Sequence, residues 1–239
     1  MPTTRWGTIQ GRPIDFPMEV AELNAATMLF SVASDAAAAL LPGSAFEIVE
    51  TAPGVAQLII SVCDYRQNPW GDYNEVNLGF LARPAGAPDD EIGSFVYRMP
   101  VNQAFTCEAG NQVMGFPKTV EEIEIGYAGG MVDVRLASEG RLALALRLPR
   151  VAGEQAPERI AAVSYSYLAG EPYATPLEMD MATGFVDPAD VVIELGEGPI
   201  ADELRSLGLP RPPDWCGWGE GLSATFQLGA SLAHRTEVR

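Results

Sequence analysis

Residues 120–148 read VEEIEIGYAGGMVDVRLASEGRLALALRL. Within them, runs 120–127, 131–137 and 142–148 carry apolar residues at alternate positions and are separated by Gly129-Gly130 and Glu139-Gly140. A repeat of two sends side chains to opposite faces of an extended chain, and a short glycine-bearing gap turns it back on itself. The stretch is therefore expected to be an antiparallel meander. Gly129-Gly130 lacks the spacing of a phosphate-cradling loop and has no lysine after it, so it reads as a hairpin turn.

Working outward, runs 160–168, 177–186 and 190–195 extend the meander, and 222–232 closes the chain as a strand. Upstream, 27–32, 46–50, 55–64, 73–82 and 93–101 have the same β-branched and aromatic character between turn signals such as Pro53-Gly54 and the breaker loop 68–72. Helix signals are few. Ser34-Asp35 opens an alanine-rich helix stopped at Pro42-Gly43, Asn102 caps a helix over 102–112, and 199–207 is a helix ended by Gly208. Strands outnumber helices without regular alternation, which predicts an α+β, mainly β fold: an antiparallel barrel-like sheet with a few short helices. Residues 1–239 are expected to form a single domain, with residues 1–25, rich in arginine, glycine and proline, as an extended N-terminal arm.

Composition narrows the chemistry. A net charge of −17 with no basic tract argues against nucleic acid and anionic membrane as partners. No apolar run approaches the ~20 residues of a membrane span, and the start resembles no signal peptide, so a cytoplasmic protein is expected. Cys63, Cys107 and Cys216 are widely spaced and read as free thiols. The only histidine, His234, stands near the C-terminus, which disfavours histidine metal clusters and Ser-His-Asp or Cys-His catalysis. The reading calls for no metal and no cofactor.

What remains is an amine. Lys118 is the only lysine among 15 basic residues, and a lysine, unlike an arginine, can lose its proton on burial and attack a carbonyl. Its neighbours Val113, Met114, Phe116 and Pro117 are apolar. The strand 73–82 carries the natural partner. Tyr73, Glu75 and Asn77 share one face, Val76, Leu78 and Phe80 the other. Two orientations satisfy this pattern: polar face to solvent, or polar face into a barrel cavity with Glu75 a buried carboxylate able to move protons.

Gly115-Phe116-Pro117-Lys118, with Gly71-Asp72-Tyr73-Asn74-Glu75 some forty residues earlier, resembles the acetoacetate decarboxylase superfamily. The same order of features spans most of the chain, from the short helix ending at Pro42 to the helix that follows Gly198-Pro199. The resemblance implies a cone-shaped antiparallel barrel with an interior active site, Lys118 as the Schiff-base lysine, Glu75 as the active-site glutamate, and a homo-oligomer. Acetoacetate decarboxylases carry a second lysine beside the first; here the flanking residues are Pro117 and Thr119. The implied activity is thus a lyase on a small oxo acid, either decarboxylation of a 3-oxo acid or aldol and dehydration steps on a 2-oxo acid such as pyruvate. An imine-independent ligand-binding barrel, or a biosynthetic cyclase or isomerase, is the alternative.

An ordinary lysine, with a pKa of about 10.4, is a free amine in about one molecule in 2,500 at pH 7. A nucleophilic lysine must overcome roughly 4 kcal/mol of that preference, chiefly by desolvation. One of Lys118 and Glu75 is accordingly expected to be held neutral, since an ionised Glu75 would favour the ammonium. Tyr73, Phe116, Met114 and Gln112 are candidate substrate contacts beside this pair. Arg66 and Arg98 are candidate carboxylate anchors that also read as surface charges. The segment 215–221 reads as a loop with aromatic anchors, or as a pocket mouth shaped by Trp218 with Glu220 as a second carboxylate.

Overall fold

The computed structural model describes residues 3–233. Strand accounts for 58% and helix for 12%, the balance that the alternating runs predict. Seven strands close a barrel in the order Trp215–Phe226, Met18–Ala33, Val55–Gln67, Tyr73–Pro84, Gly93–Val101, Arg159–Leu168 and Glu171–Asp180, the last pairing again with Trp215–Phe226. Neighbours run antiparallel except where Gly93–Val101 meets Arg159–Leu168 in parallel, with Ser94 opposite Ser164. That parallel junction follows from the long excursion between the two strands, since a tight hairpin cannot join parallel neighbours.

The excursion holds the meander. Glu122–Ala128, Met131–Ser138 and Arg141–Pro149, joined by Val192–Leu195, form a separate four-stranded antiparallel sheet rather than barrel wall. Residues 160–168 and 177–180 therefore do not continue the meander as expected; they return to the barrel. Alternation reports which faces are buried, and it does not say which strand is the neighbour. The second sheet covers the outside of the barrel, where Leu58, Ile60, Val76, Leu78 and Phe80 share one apolar cluster with Val132, Val134, Leu136 and Leu144. Each such fully buried side chain contributes on the order of 1.5–3 kcal/mol. With its apolar side held there, the strand Tyr73–Pro84 turns Tyr73, Glu75 and Asn77 into the barrel.

Residues 4–25 are not an extended arm. Thr4–Ile9 and Arg12–Phe16 form a hairpin around Gln10-Gly11, both at positive φ, and Met18–Ala33 is a full barrel strand. Ile9, Ile14 and Phe16 join a second apolar cluster with Trp70, Tyr73, Phe105 and Phe116. The Arg12 guanidinium lies 3.8 Å over the Phe105 ring. The weak periodicity of this segment has a physical cause: register shifts near Glu22 and Leu23 interrupt the repeat of two.

Smaller corrections are local. Gln103, not Asn102, caps the helix Ala104–Ala109 by accepting from the Thr106 amide at 3.1 Å, while Asn102 receives the Asn74 amide at 2.8 Å. The last barrel strand starts at Trp215, so the segment read as a loop is strand. His234 lies outside the described residues, and among those described no helix is long and apolar enough to cross a membrane.

Asp180 fastens the seam that closes the barrel. One oxygen accepts from the Ser223 amide and hydroxyl, both at 2.8 Å, and the other faces Arg159 at 3.1 Å. Burial acts to raise this carboxyl, but the donors from Ser223 and Arg159 outweigh it and hold it below its ordinary value. A carboxyl lowered on folding stabilises fully above its unfolded value, about 3.9, and that stabilisation is lost as pH falls through the lower folded value. Thermal melts between pH 5 and pH 2 should show a shallower acid loss for Asp180→Asn than for the wild type; identical slopes would show that the seam carboxylate plays no part.

Candidate active site

Lys118 opens the short strand Lys118–Val120, which pairs in parallel with Met99, Pro100 and Val101 of the barrel. The approach to it is unusual. The helix Ala104–Ala109 widens into one π-helical turn, Gly110–Met114, a feature that recurs at functional sites. Gly115 ends that turn at φ 65, where an added Cβ would stand 2.4 Å from the Tyr167 carbonyl oxygen, so only glycine fits. The widened turn points the Asn111 side chain at the lysine backbone. Its amide oxygen accepts from the Lys118 N–H at 2.9 Å, and its amide nitrogen donates to the Lys118 carbonyl at 3.1 Å.

The amine itself is buried, with 4% of the side chain exposed. Nζ lies 2.6 Å from Glu75 Oε2, 3.5 Å from Thr106 Oγ1 and 5.0 Å from the centre of the Tyr73 ring. Glu75, 3% exposed, accepts on its other oxygen from the Tyr65 hydroxyl at 3.2 Å and from Asn77 Nδ2 at 3.1 Å. Tyr65 stacks on Tyr73 with ring centres 4.4 Å apart. Burial first, and then the charge of Glu75, hold both phenols well above their ordinary value, so they remain O–H donors. Burial likewise pushes the neighbouring Cys63 thiol up, which leaves it a poor nucleophile.

This pair opens on the barrel interior, a cavity of about 630 Å³. Of the residues nominated from sequence, Tyr73, Glu75, Met114, Phe116 and Lys118 line it. The others stand elsewhere. Gln112 is exposed and donates to Glu108, one helical turn back. Trp218 is buried in the outer cluster, because its position on the strand points it away from the lumen, and its indole N–H donates to Glu220 at 2.8 Å. Glu220 faces Arg150 through two contacts of 2.7 Å. Arg66 is paired with Asp64, and Arg98 with Glu203 at 2.5 Å, so neither guanidinium reaches the cavity. Sequence reasoning missed Tyr65, Thr106 and Asn111. Tyr65 stands directly opposite Tyr73 across two paired strands, a relation that appears only once the register is known.

A closed barrel whose lumen holds one buried lysine against one carboxylate defines a class of interior, amine-bearing sites. The family model described as acetoacetate decarboxylase matches residues 1–211, and the chain belongs to that family. No curated protein matches it in sequence. Among solved structures it is similar to the acetoacetate decarboxylase of Legionella pneumophila subsp. pneumophila str. Philadelphia 1, at 14% identity and TM-score 0.63, over 91% of this chain and 87% of that one. It is similar also to the enduracididine biosynthesis enzyme MppR complexed with pyruvate, at 17% identity and TM-score 0.61, over 93% of each chain. MppR complexed with the condensation product of pyruvate and imidazole 4-carboxaldehyde gives 18% identity and TM-score 0.56, over 91% and 90%. At these identities the likeness is one of fold.

Proposed function

We propose that this protein is a Schiff-base lyase that captures the carbonyl of an oxo acid on Lys118. The carrying observation is the placement of the sequence's only lysine, almost fully buried in the wall of the cavity, 2.6 Å from Glu75. Transfer of one proton across that contact converts an ion pair into amine and carboxylic acid. In a poorly solvated site this removes two costly charges together. The amine then attacks the carbonyl carbon, and the proton on Glu75 passes to the carbinolamine oxygen, which departs as water and leaves an iminium. The iminium accepts the electron pair released when a carboxylate leaves as carbon dioxide, or when a neighbouring C–H gives up its proton to Glu75 to form an enamine. Tyr65 and Asn77, both donating to Glu75, hold its carboxylate in register with the amine.

Family membership supports oxo-acid chemistry, and the complexes of MppR with pyruvate and with a pyruvate condensation product favour the enamine branch as a reading for this chain. Borohydride reduction in the presence of pyruvate, acetoacetate or a longer oxo acid is expected to add the substrate's carbon skeleton to Lys118, seen by peptide mass mapping. Failure of every oxo acid to label it would leave an imine-independent binding barrel as the better account. Carbon dioxide release by the unreduced enzyme, measured with each oxo acid that labels Lys118, separates decarboxylation from aldol chemistry.

A further inference from the structure

The cavity is far larger than its reacting pair needs. At about 630 Å³ it falls within the ~300–1,000 Å³ of pockets that enclose drug-sized molecules. It follows the strand Tyr73–Pro84 from Glu75 through Asn77 and Gly79 to Leu81, six residues or about 20 Å at the rise of an extended chain. The half beyond the amine is mostly apolar: Leu29, Ile59, Leu81, Val163 and Trp215 are half-buried side chains lining it, with Ile92 more exposed, and Gln57, Ser94 and Ser164 add uncharged polar groups near Leu81. These large side chains keep part of their surface open, and no described residue covers it.

Charge points the same way. Among the described residues lining the cavity, Lys118 is the sole cation, and after capture its nitrogen, as the iminium, still carries the one positive charge of the wall. The other acid, Asp180, is already bound by Ser223 and Arg159. A three- or four-carbon oxo acid would meet no guanidinium and would leave most of the apolar wall uncovered. From these observations we infer that the carbonyl compound captured by Lys118 carries a long apolar arm, aliphatic or aryl, which lies along Ile59, Leu81 and Trp215. This deepens the proposed function and rests on it. Burial of one methylene favours transfer about fourfold, so three buried methylenes give about 60-fold.

The test compares probes that share a head and differ in the arm: pyruvate with 2-oxodecanoate, and acetoacetate with 3-oxodecanoate. For each, the concentration giving half-maximal borohydride labelling of Lys118 is measured by mass mapping. The inference expects the long member of at least one pair to label at a concentration tenfold or more below the short one, and Leu81→Trp to cut that ratio at least fivefold. Ratios below tenfold in both pairs, or a ratio unmoved in Leu81→Trp and Ile59→Trp alike, overturn it. If no probe labels Lys118, the Schiff-base reading fails, and the arm is judged on unreactive alcohols. Stabilisation of the wild-type protein by decan-2-ol but not propan-2-ol, lost in Leu81→Trp, then supports an apolar-arm site; no selective shift refutes it.

Discussion

Lys118→Met should abolish borohydride labelling, lower turnover by at least ~10⁴-fold, the scale on which deleting a covalent nucleophile acts, and destabilise the fold at the same time. The chemical part of this expectation is clean because the sequence contains no other lysine to substitute for it. The structural part follows from the burial of both partners. With 4% and 3% of their side chains exposed, Lys118 and Glu75 satisfy each other away from bulk water. Removing the cation strands a carboxylate whose remaining donors are Tyr65 and Asn77, and breaking a buried pair in this one-sided way costs about 3–5 kcal/mol. Lys118→Met/Glu75→Gln removes the stranded charge and should recover at least half of the stability in denaturant unfolding while recovering no turnover. A single variant as stable as the wild type would show that the contact contributes nothing in the resting protein.

The candidate pair, Lys118 and Glu75, was legible for reasons of composition. One lysine in an arginine-using chain, set beside Phe116 and Pro117, and one glutamate in a strand with a polar face needed no register to be noticed. The orientation of that strand was not legible. Tyr73–Pro84 alternates like a half-exposed strand, yet it is buried on both sides, with the second sheet against Val76, Leu78 and Phe80 and the cavity against Tyr73, Glu75 and Asn77. A polar face toward water and a polar face toward a buried cavity have the same spelling. The same ambiguity misplaced Trp218 and Glu220. Once residues 215–226 are strand, the face with Trp215 looks into the lumen and the face with Trp218 looks into the outer cluster, so one step along the chain decides the role. Arg66 and Arg98 were nominated by charge alone, and their partners Asp64 and Glu203 are distant or unmarked in sequence.

The meander illustrates the complementary limit. Its three strands and both turns form where the alternation places them, because every hydrogen bond within them is local. Its role as an outer cover depends on long-range packing against Leu58, Ile60 and Leu78, for which a repeat of two carries no address. That cover has a functional consequence. By taking the apolar face of the strand Tyr73–Pro84, it obliges Glu75 to face the lumen, so a sheet that contributes no residue to the cavity wall orients the carboxylate of the candidate site.

Gly110→Ala should lower turnover about 100-fold with little change in stability. A methyl group at this position would stand 2.7 Å from both Cδ and Cε of Lys118 and 3.4 Å from Cγ, closer than carbon atoms tolerate. Something must move, and the options are few. Asn111 pins the lysine backbone at 2.9 and 3.1 Å, so the displacement passes along the stem to Nζ and away from Glu75. A misplacement of about 1 Å in a reacting group can cost about 10²-fold in rate. The backbone raises no objection, because Gly110 has φ −61 and ψ −41, values that alanine adopts freely. Alanine also gains up to ~1 kcal/mol over glycine in helical geometry, which offsets part of the crowding. Turnover and thermal melts measured together therefore separate the two effects, and labelling of Lys118 should slow in step with turnover. Full activity in Gly110→Ala would mean that the amine reacts from a position other than the one it occupies against Glu75.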